Sequence, residues 1–166
     1  MTDEPVERAT AALGREQTVR GLLETACREL VETLDATACA ISRVVGDLLI
    51  ALAEFSRGED PLQLGHEYMI SDYPLTLEVV QRGQARSVSL LEDSPEPNEA
   101  ALLEQLGFES LLMVCLPTSE GCWGLVEVYS DGSSFDKRQA ALAEQIAAAT
   151  GRRLDHLDPA GSRTLA

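Results

Sequence analysis

The chain has 166 residues, 45% of them apolar and 25% charged, and its 28 acidic side chains against 13 basic give a net charge of −15. That length suits one domain with a sizeable core, and the composition is that of a folded chain rather than a disordered one. The acidic balance argues against nucleic acid or an anionic membrane as a partner, since both require a basic footprint.

No apolar run approaches the roughly 18 residues needed to span a bilayer. The longest, around 111–116, has the length of a strand. The opening MTDEPVER is acidic and polar, unlike a secretory or transit signal, so the cytoplasm is the expected location. Cys27, Cys39, Cys115 and Cys122 fit that compartment as buried free thiols, with no pairing expected between Cys115 and Cys122. No metal-type cysteine pair occurs, and the two histidines are far apart, so no metal is expected.

Residues 1–15 read as a mobile or helical lead-in, 16–154 as a single domain and 155–166 as a flexible tail. Val19, Leu22, Leu23, Ala26, Cys27, Leu30, Val31 and Leu34 keep helical spacing over four turns and predict an amphipathic helix. Residues 37–45 and 48–55 are rich in Ala, Val, Ile and Leu and flank Gly46-Asp47, which predicts a hairpin with a two-residue turn. A loop and a strand at 63–70 come next. Ser71-Asp72-Tyr73-Pro74 then opens a short helix over 75–82 that stops at Gly83. A strand at 86–90 precedes a second short helix, Pro97–Leu106, ended by Gly107. The strongest strand signal is a second hairpin, 110–117 and 122–130 about a Glu120-Gly121 turn, with Trp123 exposed near its tip. A last helix over 135–154 is expected to be capped by Ser133 or Ser134, with Asp136 in its first turn. Hairpins flanked by terminal helices predict an α+β fold with a largely antiparallel sheet.

Three stretches resemble the GAF domain family of small-molecule sensor modules. They are Tyr73-Pro74-Leu75-Thr76 with Val79-Val80-Gln81-Arg82-Gly83, then LGFESLLMVCLP at 106–117, and GLVEVYS at 124–130 followed by Phe135. The resemblance covers about 16–154. It implies a central antiparallel sheet of five or six strands, with the terminal helices on one face and short helices and loops over a ligand pocket on the other. It also implies a regulatory role and dimerisation through the terminal helices. The full Asn-Lys…Phe…Asp-Glu signature of cyclic-nucleotide-binding members is absent. So are the Cys-His pair of bilin attachment and the clustered cysteines of the free-methionine-sulfoxide reductase branch. The cofactor is therefore left open.

Alternation along the second hairpin puts Leu112, Val114, Leu116, Gly124, Val126 and Val128 on a purely apolar face. The opposite face carries Leu111, Met113, Cys115, Leu125, Glu127 and Tyr129, and is the pocket candidate. The same exercise on the first hairpin sets Ala38, Ala40, Ser42, Ala51 and Ala53 toward a helix. Arg43 and Glu54 then fall, with Cys39, Ile41, Ile50 and Leu52, on the pocket side. Tyr68 and Ile70 are expected to line the same cavity. Tyr73 and Thr76 start the helix that covers the pocket in similar proteins, where free amides suit an anionic group, the other reading being a self-capped helix with nothing bound. His66 reads as a surface histidine rather than a haem ligand.

No Gly-rich phosphate loop, Ser-His-Asp pattern or HExxH is present, so no enzymatic activity is expected. The leading expectation is a stand-alone sensor or regulatory domain that binds a small molecule. It would signal through its terminal helices, as a homodimer or to a separate signalling protein. The last helix is rich in small residues that permit close helix contact, among them Ala140, Ala143 and Ala147. The alternative is a ligand-free dimerisation or scaffold module whose own side chains fill the pocket.

Overall fold

A computed structural model of the chain describes residues 4–58, 68–132 and 134–157. The lead-in contains a helix, α1 (Glu4–Gly14), whose Ala9 and Leu13 are buried. Helix α2 (Val19–Leu34) starts where the Thr18 hydroxyl accepts the Gly21 N–H at 3.0 Å, and buries the apolar stripe read from the sequence. Strands β1 (Ala38–Val45) and β2 (Leu48–Ser56) form the first hairpin about Gly46-Asp47. Of the strand expected at 63–70, residues 63–67, with His66, lie outside the described residues. The remainder is a short β3 (Tyr68–Met69) leading into a 3-10 turn, Ile70–Asp72. Helix α3 (Pro74–Arg82) has proline in its first turn and no side-chain cap from Tyr73, and Gly83 ends it with φ of 72°.

Strand β4 (Arg86–Ser89) and helix α4 (Pro97–Leu106) lead to β5 (Ser110–Thr118) and β6 (Gly121–Ser130), and α5 (Lys137–Leu157) closes the fold. Asp136 precedes α5 instead of lying within it. Its carboxylate accepts the Gln139 N–H at 2.8 Å, and the Gln139 side chain accepts the Asp136 N–H at 2.9 Å. This reciprocal pair is a capping box, which replaces the expected serine cap.

The six strands run in the order β3-β2-β1-β6-β5-β4, and every neighbouring pair is antiparallel. The chain crosses from β3 at one edge to β4 at the other, carrying α3 over one face, and α4 joins it there. Helices α1, α2 and α5 cover the opposite face. There Leu112, Val114, Leu116, Val126 and Val128 pack with Leu22, Leu30, Leu142 and Ile146. Each such side chain, fully withdrawn from water, contributes roughly 1.5–3 kcal/mol. Gly151 lets α5 lie against β5: a Cβ there would stand 1.6 Å from the Pro117 carbonyl oxygen.

Two β-bulges correct the register read from the sequence. In the first hairpin Ser42 pairs Ala51 but Ile41 pairs Ala53, so Leu52 is the extra residue. Ala40 then stands opposite Glu54 and, on its other side, opposite Glu127. Ala38 and Ala40 therefore face α3 and α4, whereas Cys39 and Ile41 enter the core beneath the terminal helices. This reverses the face expected for those four residues.

In the second hairpin Leu116 pairs Gly124 but Pro117 pairs Cys122, which makes Trp123 the extra residue and moves the turn to Ser119-Glu120. The bulge rotates Trp123 into the helix-side core, where it is 3% exposed rather than on the surface. It also brings Cys115 and Cys122 together as a disulfide with a Cα–Cα distance of 5.7 Å, so two of the four cysteines are not free thiols. Cys27 and Cys39 remain free and buried.

Candidate functional site

The two faces of the sheet differ in chemistry. The face beneath the terminal helices is apolar across the second hairpin, as expected. On the other face one row of directly paired residues runs Glu54, Ala40, Glu127, Met113, Arg86 across five strands. The next row runs Ser56, Ala38, Tyr129, Leu111, Val88. The two alanines of β1 keep the floor low beside Glu127 and Tyr129, which are both buried.

The Tyr129 hydroxyl donates to Glu127 Oε2 at 3.0 Å, as their i, i+2 spacing on one strand face permits. The Phe108 ring stacks on Tyr129, with centroids 5.0 Å apart. Above this row sit the first turns of α3 and α4. Glu99, 1% exposed, aims its carboxylate at α3: Oε1 accepts the Thr76 N–H at 3.0 Å and the Thr76 hydroxyl at 2.9 Å. The Thr76 oxygen lies 3.3 Å from Met113 Sδ, which ties the helix start to the centre of the sheet. The free amide end of α3 is therefore occupied by the protein's own carboxylate, which agrees with the self-capped reading of this helix start and not with its alternative, an anionic ligand. Glu99 Oε2 is buried and has no hydrogen-bond partner among the described residues. A bond from Asn98 Nδ2 to the Asp72 carbonyl, 2.7 Å, holds the two helix starts together. A groove of about 340 Å³ follows this seam, lined in part by Tyr73, Asn98 and Leu102.

Burial dominates the electrostatics. It pushes the Glu127 carboxyl up to about 7; the bond from Tyr129 pulls the other way and the nearby Glu99 pushes further. Burial also raises Glu99, only partly offset by its two bonds from Thr76. Tyr68 and Tyr73, whose rings meet edge to face at 6.0 Å, are raised by burial and then by neighbouring carboxylates: Glu127 for Tyr68, Glu99 first for Tyr73. The Tyr129 phenol is held well above its ordinary value by burial and by Glu127.

Of the residues singled out in the sequence, Leu111, Met113, Glu127, Tyr129, Ile70 and Thr76 meet on this face, with Tyr68 packed against them. Tyr73 caps α3 beside them. Glu54 falls on the face by register but is exposed. Arg43 does not belong there. Its guanidinium lies over the Trp123 ring at 4.6 Å and donates to the Trp123 carbonyl at 2.7 Å, on the side of the terminal helices. Glu99 was missed. In sequence it reads as an ordinary acid in a first helical turn, and its burial follows from how α4 docks.

The family model of the GAF domain matches residues 18–154. The chain belongs to the GAF domain family. Among solved structures, the GAF fold of this chain is similar to the chromophore-binding domain of the bacteriophytochrome RpBphP3 from R. palustris. That match has a TM-score of 0.79 and 14% identity, and covers 94% of this chain and 62% of that one. The photosensory core module of the Stigmatella aurantiaca phytochrome matches with TM-score 0.79 and 14% identity, over 93% of this chain and 36% of that one. The far-red absorbing dark state of JSC1_58120g3 with bound biliverdin IXa matches with TM-score 0.78 and 15% identity, over 93% and 99%. This GAF domain thus spans about a third to two thirds of the two phytochrome chains. No curated protein matches it. No described helix is long and apolar enough to cross a membrane.

Proposed function

We propose that this GAF domain is a small-molecule sensor whose ligand binds between the sheet and helices α3 and α4. The observation that carries the reading is the concentration of buried polar groups on that one face: Glu127, Glu99, Thr76 and the Tyr129 hydroxyl. Polar groups withdrawn from water cost stability unless they are partnered, and two buried carboxyls on one face mark it as a candidate functional site. Leu111, Met113 and Ile70 supply the apolar lining, with Tyr68 and Tyr73 at the rim and Glu54 at the margin. The solved relatives described as chromophore-binding or biliverdin-bound support a ligand on this scaffold. Biliverdin itself fits poorly, because its two propionates would meet carboxylates.

The binding signal would leave through α1, α2 and α5, in a cytoplasmic homodimer or onto a separate signalling protein, without catalysis. The second reading is a ligand-free scaffold. The stacking of Phe108 on Tyr129 favours it, since the chain's own rings fill part of this face. Titrating a filtered small-molecule extract into isotope-labelled protein separates the two. Sensing predicts amide shifts concentrated on α3, α4, β5 and β6, abolished in Glu127→Leu. A scaffold predicts an unchanged spectrum.

A further inference from the structure

The carboxyl pair on the ligand face is rich in acceptors and short of donors. Glu99 and Glu127 present four carboxylate oxygens between them. Among the described residues, these oxygens accept from the Thr76 N–H, the Thr76 hydroxyl and the Tyr129 hydroxyl. Two of the three go to one oxygen, Glu99 Oε1, and leave Glu99 Oε2 buried without a partner among the described residues. Among the described residues no arginine, lysine or histidine forms an ion pair with either carboxylate. A buried acceptor left unpaired costs about 1–3 kcal/mol, and more when it is charged, so a donor arriving from outside has a ready place. No three His, Cys, Asp or Glu side chains converge on a metal position among the described residues. Aromatic rings complete the setting. Tyr68 and Tyr73 stand edge to face beside the carboxyls, and Tyr73 also lines the groove along the α3–α4 seam. A cation gains over such rings as well as between carboxylates.

We propose, building on the sensor reading above, that the ligand is a small organic cation, an amine, amidine or guanidine, whose N–H groups bridge Glu99 and Glu127 with its carbon skeleton against Tyr68 and Tyr73. The site rejects carboxylates and phosphates. The same acceptors that bind the cation repel them, and a chain of net charge −15 adds to that repulsion.

Four probes of one skeleton test this: benzamidine, benzylamine, benzamide and benzoate, each titrated into the full chain and followed by amide chemical shifts. Benzamidine and benzylamine are expected to bind about tenfold or more tighter than benzamide, with benzoate not binding. Glu99→Gln and Glu127→Gln should each weaken benzamidine about tenfold while the spectrum stays that of a folded protein. Glu104→Gln, an exposed acid on α4, should change nothing, which separates the site from general attraction to an acidic surface. Benzoate binding as well as benzamidine, no binding by either cation, or equal loss in all three variants would overturn the proposal. An anionic or neutral molecule that binds this face would overturn the cation while leaving the sensor reading intact.

Discussion

Removing the charge of Glu127 should change how stability depends on pH more than it changes the structure. In the folded protein this carboxyl is raised from 4.5 to about 7, chiefly by burial. The fold therefore binds the protonated acid better than the unfolded chain does. The corresponding stability is fully present below pH 4.5 and is lost as pH rises to about 7. Above that the loss is complete, at about 3 kcal/mol. Glu127→Gln keeps an acceptor for the Tyr129 hydroxyl and cannot ionise, so it escapes the loss. Urea unfolding of both proteins, followed by the emission of the buried Trp123, measures the difference at each pH. Subtracting one curve from the other cancels most of the remaining acids. The two proteins should coincide at low pH and diverge to about 3 kcal/mol at about pH 8, roughly 6–12 °C in Tm for a domain of this size. Parallel curves across that window, or a variant less stable than the parent above it, would refute the reasoning.

Gly151→Ala should destabilise the fold by about 3 kcal/mol or more, because the new Cβ meets the Pro117 carbonyl oxygen at 1.6 Å and α5 must lift from β5; thermal unfolding reads this directly. Thr76→Val removes a donor from the buried Glu99 carboxylate and should cost about 1–3 kcal/mol in urea unfolding. Asp136→Ala breaks the capping box of α5 and should cost about 1 kcal/mol by the same assay. Thiol titration of denatured, unreduced protein should find two thiols, Cys27 and Cys39, and four after reduction.

The sequence was legible where local chemistry decides the outcome. Pro97 and Gly107 bracket α4 at the expected residues, and alternation along 111–116 assigns the two faces of the second hairpin correctly. It was illegible where one inserted residue decides. Nothing local marks Leu52 or Trp123 as bulged, yet each bulge changes what its neighbours face. The bulge at Trp123 is why Cys115 pairs with Cys122. The faces of β1 and the position of Arg43 came out differently because β1 pairs β6 without a break, Ala40 opposite Glu127, and alternation within the first hairpin does not say which of its faces meets the helices. Glu99 was hidden for another reason. A helix-start acid is ordinarily solvated, and this one is buried because α4 docks against the amide end of α3, a tertiary fact with no period in the chain.

Native mass spectrometry of gently purified, untreated protein tests the central claim most directly. The account predicts twice the chain mass plus a reproducible small adduct bearing a basic nitrogen, absent when Glu99 and Glu127 are both replaced by glutamine. A bare chain, or an adduct retained by that double variant, would contradict it.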